Sequence, residues 1–159
     1  MACGTTAANY MATIHREATE ALCDIAEERG QRALVGKVSM NRNGFGDYVE
    51  TTADSLNETR IYLSGAIAKK FRLVEPTVVP RFAVSCDKAL MVGLGELAQQ
   101  YGARVHTHLA ETKPEARILI FLVGSRGIRR RSLPSNPKGS PLVSVVRALI
   151  LALGIKLNP

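Results

Sequence analysis

Short apolar runs alternate with longer amphipathic stretches through the first part of the chain. Four runs have the length and composition of strands, at 3–10, 32–40, 74–82 and 103–109. Three intervening segments repeat apolar residues every three or four positions and are predicted to be helices, at 17–29, 51–70 and 87–101. A polar loop with glycines is predicted after the second strand, at 41–46. This order predicts right-handed βα units whose parallel sheet is buried on both faces.

The ends of the predicted helices carry capping signals. Gly30 and Gly102 follow the first and third helices, where glycine is typical of a helix C-terminus. The sequence Thr-Thr-Ala-Asp at 51–54 has the form of a capping box, and Ser85 or Asp87 is predicted to cap the third helix. The face of the first helix that is predicted to be buried consists of Ala18, Ala21, Leu22, Ile25 and Ala26.

The fold class predicted from this alternation is α/β. We expect part of a (β/α)8 TIM-type barrel, with about four parallel strands and intervening helices, because polar groups follow the strands as they do at the catalytic mouth of such a barrel. A complete barrel takes roughly 250 residues, whereas this chain has 159, and an open doubly wound sheet is the structural alternative. We divide the chain into a partial barrel domain at 1–115 and a divergent tail at 116–159.

Charge separates the tail from the rest of the chain. All 14 acidic residues lie at or before Glu115, while eight of the 21 basic residues follow it. The net charge of +7 therefore describes neither part, because residues 1–115 carry −1 and residues 116–159 carry +8. Two apolar runs in the tail, 118–123 and 142–157, are shorter than the roughly 20 residues that cross a bilayer.

The tail has two interpretations. We favour a solvated, partly disordered segment or a surface helix. The arginine cluster at 126–131 could instead attract RNA, DNA or anionic lipid through charge alone. Nucleic acid or a membrane is therefore expected to bind, if at all, only through the basic tail.

Candidate chemistry lies at the end of the fourth predicted strand, in Arg-Val-His-Thr-His-Leu-Ala-Glu at 104–111. Alternate residues of a strand share one face, so Arg104, His106 and His108 are predicted to point the same way. A neutral imidazole is a good zinc ligand, and the carboxylate of Glu111 could move a proton to or from a water molecule at a metal. A His-x-x-Glu pattern also arises by chance, so the pair alone leaves a metal role and a structural role open.

The cysteines limit both the compartment and the chemistry. Cys3, Cys23 and Cys86 are odd in number and far apart, which favours a reducing compartment and therefore the cytosol. The sequence has no Cys-x-x-Cys pair. A zinc ribbon, a disulfide framework and a cytidine-type deaminase, which needs Pro-Cys-x-x-Cys, are therefore not supported.

Five stretches before Glu115 resemble one known family. In order and spacing they are similar to the central part of the guanine deaminases, a family of the amidohydrolase superfamily. They are ACGTTA at 2–7, ATIH at 12–15, GQRALVGKV at 30–38, TVVPRF at 77–82 and THLAE at 107–111. The resemblance implies a barrel with a catalytic zinc at its carboxyl-terminal mouth, and hydrolysis of guanine to xanthine and ammonia in purine catabolism.

The resemblance also implies roles for four residues. His108 would be a zinc ligand, and Glu111 would be the catalytic proton carrier. Arg81 would contact a polar edge of guanine and Phe82 would border the base, which agrees with the planar fork of arginine and the stacking of aromatic rings on purines. The family's zinc site needs further histidines and an aspartate that have no counterpart here, so the ligand set is incomplete in this chain.

We therefore expect a truncated chain that is inactive alone. The hypothesis is a guanine deaminase fragment whose tail arises from an altered reading frame or a retained non-coding segment. Guanine would be the substrate of the complete site, and a homodimer is the assembly that the family implies. Another amidohydrolase of deaminase or chlorohydrolase type, acting on a different heterocycle, is one alternative. A non-catalytic fragment with a basic tail that binds nucleic acid or lipid is the other.

Overall fold

Strands and helices alternate throughout the part of the chain that the computed structural model describes, residues 3–109 and 111–113. The elements are β1 (Ala7–Met11), α1 (Arg16–Glu28), β2 (Arg32–Ser39), α2 (Thr52–Ala68), β3 (Val74–Pro80), α3 (Lys88–Tyr101) and β4 (Arg104–Val105). The chain divides into two compact units, 1–107 and 108–159, and these elements belong to the first. None of the helices in the described ranges combines the length and the apolar character that a bilayer crossing requires. The predicted tail, 116–159, lies outside the described residues.

The four strands form one parallel sheet in the order β1-β2-β3-β4, so each strand pairs with the next along the chain. β2 and β3 pair from Ala33 opposite Val74 to Ser39 opposite Pro80. Residues 35–39 of β2 are all buried, which is typical of a central strand in a parallel sheet. The predicted alternation of parallel strands and helices is confirmed.

The two faces of β2 have different partners. One face meets an apolar cluster, which consists of Met11, Ile14, Val38, Met40 and Val79. The other face meets α2, because Ser39 Oγ lies 3.1 Å from Thr59 Oγ1. Tyr62 of α2 also donates a hydrogen bond to the Val35 carbonyl, at 2.7 Å. Since alternate residues of a strand share a face, Lys37 lies on the side of β2 that carries Ser39.

The buried face of α1 differs from the one predicted. Thr19, Cys23 and Ala26 are buried, whereas Ile25 is 53% exposed. The prediction is confirmed for Ala26 and wrong for Ala18, Ala21 and Ile25, which are exposed. Thr19 and Cys23 are buried instead, because their polar atoms find hydrogen-bond partners inside. Thr19 Oγ1 donates to the carbonyl four residues earlier at 3.0 Å, and Cys23 Sγ lies 3.5 Å from the Tyr62 hydroxyl. A helix can bury such residues when their polar atoms are paired.

The predicted start of α2 and the predicted start and end of α3 are confirmed, while α2 ends at Ala68, two residues before the predicted end. Thr51 Oγ1 accepts a hydrogen bond from the Asp54 amide at 3.1 Å. In the same way, the Asp87 carboxylate accepts one from the Leu90 amide at 2.8 Å, so Asp87 is the N-cap of α3. This hydrogen bond is the main reason that the pKa of the Asp87 carboxyl is lowered. Gly102 ends α3 at φ 61°, in the left-handed region that glycine adopts without strain.

β4 is shorter and more exposed than predicted. It comprises two residues, both exposed, so the prediction of a buried strand over 103–109 was wrong. Within the described residues β4 pairs only with β3, and Arg104 reaches Glu75 of that strand in an exposed ion pair of 3.0 Å. The strand ends before His106, so its two-residue periodicity does not extend to His106 and His108. Their predicted common direction with Arg104 therefore loses its basis.

Candidate active site

Arg81 and Phe82 lie at the carboxyl end of β3. In parallel α/β sheets, ligands bind at this edge, outside the carboxyl ends of the strands. The backbone amide of Arg81 donates to the Ser39 carbonyl at 3.1 Å, which extends the pairing of β2 and β3 by one hydrogen bond beyond Pro80. The sheet itself therefore fixes the backbone at Arg81.

The Arg81 guanidinium contacts two neighbouring side chains. Its Nη1 donates a hydrogen bond to Met40 Sδ at 3.2 Å, and its Cζ lies 5.6 Å from the centroid of the Phe82 ring. That separation is within cation–π range, an attraction of about 0.5–1 kcal/mol at an exposed site. Arg81 and Phe82 are both half-buried, so they combine a restrained position with access for a ligand. A guanidinium, whose N–H donors lie in one plane, next to an aromatic ring suits a planar ligand with hydrogen-bond acceptors on its edge.

The residues after β4 run alongside the end of β3. The His106 amide donates to the Val78 carbonyl at 3.0 Å, and the Thr107 hydroxyl donates to the Arg81 carbonyl at 3.3 Å. These two hydrogen bonds bring His106 to the carboxyl edge of the sheet, where Arg81 also lies. The backbone thus places His106 at this edge although the strand has already ended.

His108 and Glu111 belong to the second unit. His108 Nε2 lies 3.7 Å from Glu111 Oε1, and the two side chains are 43% and 61% exposed. The distance allows an ion pair when the imidazole is protonated. The structure therefore brings together the imidazole and the carboxylate of the His-x-x-Glu pattern, while their roles as metal ligand and proton carrier stay predictions.

A metal centre needs more donors than the described residues bring together. Across 3–109 and 111–113, no group of three or more histidine, cysteine, aspartate or glutamate side chains is placed to hold a metal ion. Catalytic zinc sites usually have three protein ligands. The described part of the chain therefore does not by itself fit a complete zinc centre.

A buried ion pair at the loop after β2 was not predicted. Lys37 is completely buried, and its Nζ lies 2.8 and 2.7 Å from the two carboxylate oxygens of Glu50. Nζ also donates to the Val38 carbonyl at 3.2 Å. Burial lowers the pKa of Lys37, although the Glu50 carboxylate favours the charged form. The Glu50 amide donates to the Met40 carbonyl at 3.0 Å, so this pair closes the loop at its base.

One feature of the sequence points to the Lys37–Glu50 ion pair, namely a lysine in the middle of the apolar run at 32–40. A fully buried charge in a strand requires a partner, but that rule does not identify Glu50, which lies 13 residues further along the chain. The loop at 41–46 carried no comparable signal. Nothing in its spacing showed that Arg42 would bond a carbonyl 41 residues later.

Comparison with known proteins places the chain among the hydrolases that it resembles. The sequence profile described as the Amidohydrolase family matches residues 2–159. The chain belongs to the amidohydrolase family. The guanine deaminase of Dictyostelium discoideum is 47% identical over 112 residues, which is 70% of this chain and 25% of that protein. The human guanine deaminase is 42% identical over 113 residues, with the same coverage of 70% and 25%. The chain thus spans about a quarter of the length of these curated relatives.

Solved structures of related proteins share the fold. The guanine deaminase from C. acetobutylicum, with guanine bound in its active site, matches with a TM-score of 0.67 at 34% identity, over 77% of this chain and 29% of that one. The E. coli guanine deaminase matches with a TM-score of 0.65 at 26% identity, over 92% and 31%. An adenosine deaminase from Xanthomonas campestris with bound zinc shares the fold at 19% identity, with a TM-score of 0.61, over 91% and 28%. The family resemblance and the fold class, part of a (β/α)8 barrel, are confirmed.

Proposed function

We propose that the chain supplies part of the active site of a guanine deaminase, which hydrolyses guanine to xanthine and ammonia. The observation that carries the proposal is the position of Arg81 and Phe82 at the carboxyl end of β3, with the guanidinium 5.6 Å from the ring. A 34% identical relative with guanine in its active site supports it. The chain spans about a quarter of the curated guanine deaminases, so the activity is proposed for the assembled site and not for the isolated chain.

Arg81 would bind the polar edge of the base. The N–H groups of a guanidinium lie in one plane and donate hydrogen bonds only, so they match a carbonyl oxygen and an unprotonated ring nitrogen of a purine. Phe82 would border the face of the base. Together the two residues would hold guanine in one plane, which positions the carbon that bears the amino group for attack.

Glu111 would carry the proton. In the reaction, a water oxygen forms a bond to C2 of guanine, and the bond from C2 to the amino nitrogen breaks. The Glu111 carboxylate would carry one proton of the attacking water to the departing nitrogen, which leaves as ammonia, and the other to a ring nitrogen of the purine, which gives xanthine. A well-placed acid or base of this kind contributes roughly 10²–10⁴ to the rate.

We propose zinc as the cofactor of the assembled site, with His108 as one ligand. The described residues bring together no complete ligand set, and residues 116–159 contain no histidine, cysteine, aspartate or glutamate, so the other ligands would come from residues that this chain does not contain. We expect the purified 159-residue chain to hold no stoichiometric zinc and to release no ammonia from guanine. Metal analysis beside a turnover assay measures both, and stoichiometric zinc together with turnover would contradict this expectation.

We place the protein in the cytosol. Cys3, Cys23 and Cys86 are free thiols, which supports a reducing compartment. Assembly into a homodimer stays a prediction from the family, and it can be measured by light scattering of the purified chain.

A chimera tests the proposed function. Residues 3–113 would replace the matching segment of the Dictyostelium guanine deaminase, to which this chain is 47% identical. We expect the chimera to release ammonia from guanine, and Arg81→Gln to raise the KM for guanine because the donor fork is lost. Arg60→Gln is the matched control, since Arg60 is exposed on α2 and bonds Asn57 of the same helix. A folded chimera with its full zinc content that prefers another heterocycle, or acts on none, would contradict the proposal.

A further inference from the structure

Three consecutive residues of the β2–α2 loop hold the turn that follows Arg81 and Phe82. The tripeptide 41–43 donates hydrogen bonds to four successive backbone carbonyls of the turn 83–86. The bonds run from Arg42 Nη2 to Ala83 (3.1 Å) and Cys86 (2.9 Å), from Asn43 Nδ2 to Val84 (2.6 Å), and from the amides of Asn41 (3.0 Å) and Arg42 (3.3 Å) to Ser85. Carbonyls in a turn lack partners from helix or sheet, and these four all find one in the same tripeptide.

Asn41 also joins the starts of two helices. Its Oδ1 accepts a hydrogen bond from the Asp87 amide, at the N-cap of α3, over 2.9 Å. Its Nδ2 donates to the Thr52 hydroxyl in the first turn of α2 at 2.8 Å. The tripeptide is therefore fixed both to the helix that follows it and to the helix that follows the turn.

Hydrogen bonds also connect the turn 83–86 to the backbone of Arg81 and Phe82, the two residues proposed to bind guanine. The Ser85 amide and hydroxyl both donate to the Phe82 carbonyl, at 3.0 and 3.1 Å. Cys86 Sγ donates to the Ser39 carbonyl at 3.1 Å. The same carbonyl accepts the hydrogen bond from the Arg81 amide. Both ends of this segment are thus tied to the backbone of β2, and its middle is tied to the tripeptide.

The tripeptide is itself restrained. Asn43 has a φ of 55°, in the left-handed region that asparagine adopts more readily than most residues. The loop that starts with the tripeptide is closed at its far end by the Glu50 amide on the Met40 carbonyl (3.0 Å) and by the buried ion pair with Lys37. A loop that is restrained at both ends can act as a fixed support for the turn.

We propose that Arg42 and Asn43 are positioning residues for guanine recognition. By holding the turn 83–86, they keep the Arg81 guanidinium and the Phe82 ring in their relative placement. The inference rests on the proposed function, because Arg81 and Phe82 are the residues that would bind guanine. Recognition groups must stay within about 0.5 Å of the productive geometry, and a supporting layer of hydrogen bonds provides that restraint. Arg42 and Asn43 would act only through this support, without touching guanine.

Two variants of the full 159-residue chain test the inference without guanine. Arg42→Gln removes both guanidinium bonds to the turn, and Asn43→Gly removes the bond to Val84 while glycine keeps the positive φ without strain. The readouts are hydrogen exchange of the Ser85 amide and the NMR order parameter of the Arg81 Nε–H group. We expect exchange to quicken on the order of tenfold in each variant, and the order parameter to fall.

Arg16→Gln is the matched control. The Arg16 guanidinium also has several partners, but they lie on α1 and α2; they are Glu17, Glu20 and Glu58. This variant should leave both readouts unchanged, even where it lowers global stability. Unchanged exchange and order in Arg42→Gln and Asn43→Gly would overturn the inference. Should Arg42→Gln fail to fold, Asn43→Gly decides the question, because it removes one hydrogen bond of an exposed side chain.

The same substitutions in the chimera separate the inference from the proposed function. We expect the KM for guanine to rise on the order of tenfold, with a smaller change in kcat. An unchanged KM in a variant whose turn exchanges faster would overturn the inference. A parent chimera without activity would count against the proposed function, and exchange and side-chain order would then decide whether the tripeptide holds Arg81.

Discussion

The buried ion pair of Lys37 and Glu50 allows a quantitative test of how the loop after β2 is held. The Lys37 side chain is 0% exposed and that of Glu50 is 12% exposed. Nζ lies 2.8 and 2.7 Å from the two carboxylate oxygens. Glu50→Gln keeps the shape of the side chain but leaves the buried ammonium without the carboxylate that neutralises it.

The structure sets the size of the expected loss. Breaking a buried ion pair by removing one partner costs about 3–5 kcal/mol. The loss has an upper limit, because the buried lysine can become neutral by losing its proton. At pH 7 deprotonation costs roughly 4.6 kcal/mol for a group with an ordinary pKa of about 10.4. We therefore expect Glu50→Gln to lower the free energy of unfolding by about 3–4.5 kcal/mol. Lys37→Met should cost less, because the remaining carboxylate keeps some contact with water.

Urea unfolding followed by circular dichroism at pH 7 measures both single variants and the double variant. With neither residue charged, the double variant should lose about 2 kcal/mol less than the sum of the single losses. The exposed pair of Lys69 and Asp24, whose side chains are 46% and 53% exposed, is the matched control and should couple by less than about 1 kcal/mol. A coupling below about 0.5 kcal/mol between Lys37 and Glu50 would refute the reasoning.

The pH dependence checks the same pair independently. Burial lowers the pKa of Lys37, so between the folded and the unfolded pKa the unfolded state binds more protons, and stability rises with pH. Glu50→Gln removes the carboxylate that favours the charged lysine, so the folded variant loses the Lys37 proton at a lower pH than the unsubstituted protein does. The difference in unfolding free energy between the variant and the unsubstituted protein should therefore shrink as the pH is raised from about 7 towards about 10. A deficit that stays constant or grows over this range would show that the buried ammonium is not its source.

Three further substitutions test packing and acid stability. Gly36→Ala should lower the free energy of unfolding by about 1–3 kcal/mol. The new methyl group would overlap the side chains of Val79 and Thr77 and would lie 2.8 Å from the Thr77 carbonyl oxygen. Gly65→Ala in α2, where no atom outside the neighbouring residues and backbone of the helix lies within 4 Å of the added carbon, should instead stabilise the protein by about 0.5–1 kcal/mol. Glu27 accepts hydrogen bonds from three amides at the start of β3, that of Leu73 above all, and these bonds lower its pKa. Its contribution to stability is complete above the ordinary pKa of about 4.3 and is lost as the pH falls through the lower folded pKa, so Glu27→Gln should flatten the acid side of the stability curve.

Urea midpoints measure the two glycine substitutions, and acid titrations measure Glu27→Gln. Equal midpoints for Gly36→Ala and the unsubstituted chain would contradict the close approach of β2 and β3. For the acid side, Glu28→Gln is the control, since Glu28 is the exposed neighbour of Glu27 on α1. If the free energy of unfolding falls as steeply with decreasing pH in Glu27→Gln as in Glu28→Gln, the proposed role of the three amide hydrogen bonds is contradicted.

Helices and strands whose ends are set by residues close together in the sequence could be predicted from it. The caps at Thr51 and Asp87 are contacts between residues three positions apart, so a short window of sequence contains both partners. The central strands β2 and β3 are buried on both faces, and each therefore reads as a continuous apolar run.

The features that could not be predicted depend on contacts between distant residues. The buried face of α1 includes Cys23 because Tyr62, 39 residues later, supplies its hydrogen-bond partner. The length of β4 depends on its pairing with β3, and Arg42 bonds carbonyls 41 and 44 residues away. The roles of Arg81 and Phe82 were predicted from the family resemblance, whereas His108 and Glu111 were also indicated by the His-x-x-Glu pattern after the fourth strand. The structure adds positions and contacts to all four residues.

Ammonia release from guanine by the Glu111→Gln form of the chimera tests the central claim most directly. Glutamine keeps the length of the side chain but cannot take up the proton from water. We predict that kcat falls by roughly 10²–10⁴, with zinc content and guanine KM close to those of the parent chimera, and that Lys113→Gln at an exposed neighbouring position leaves kcat unchanged. Turnover of guanine by the Glu111→Gln chimera at the parent's rate would contradict the claim that this chain carries the proton-transfer group.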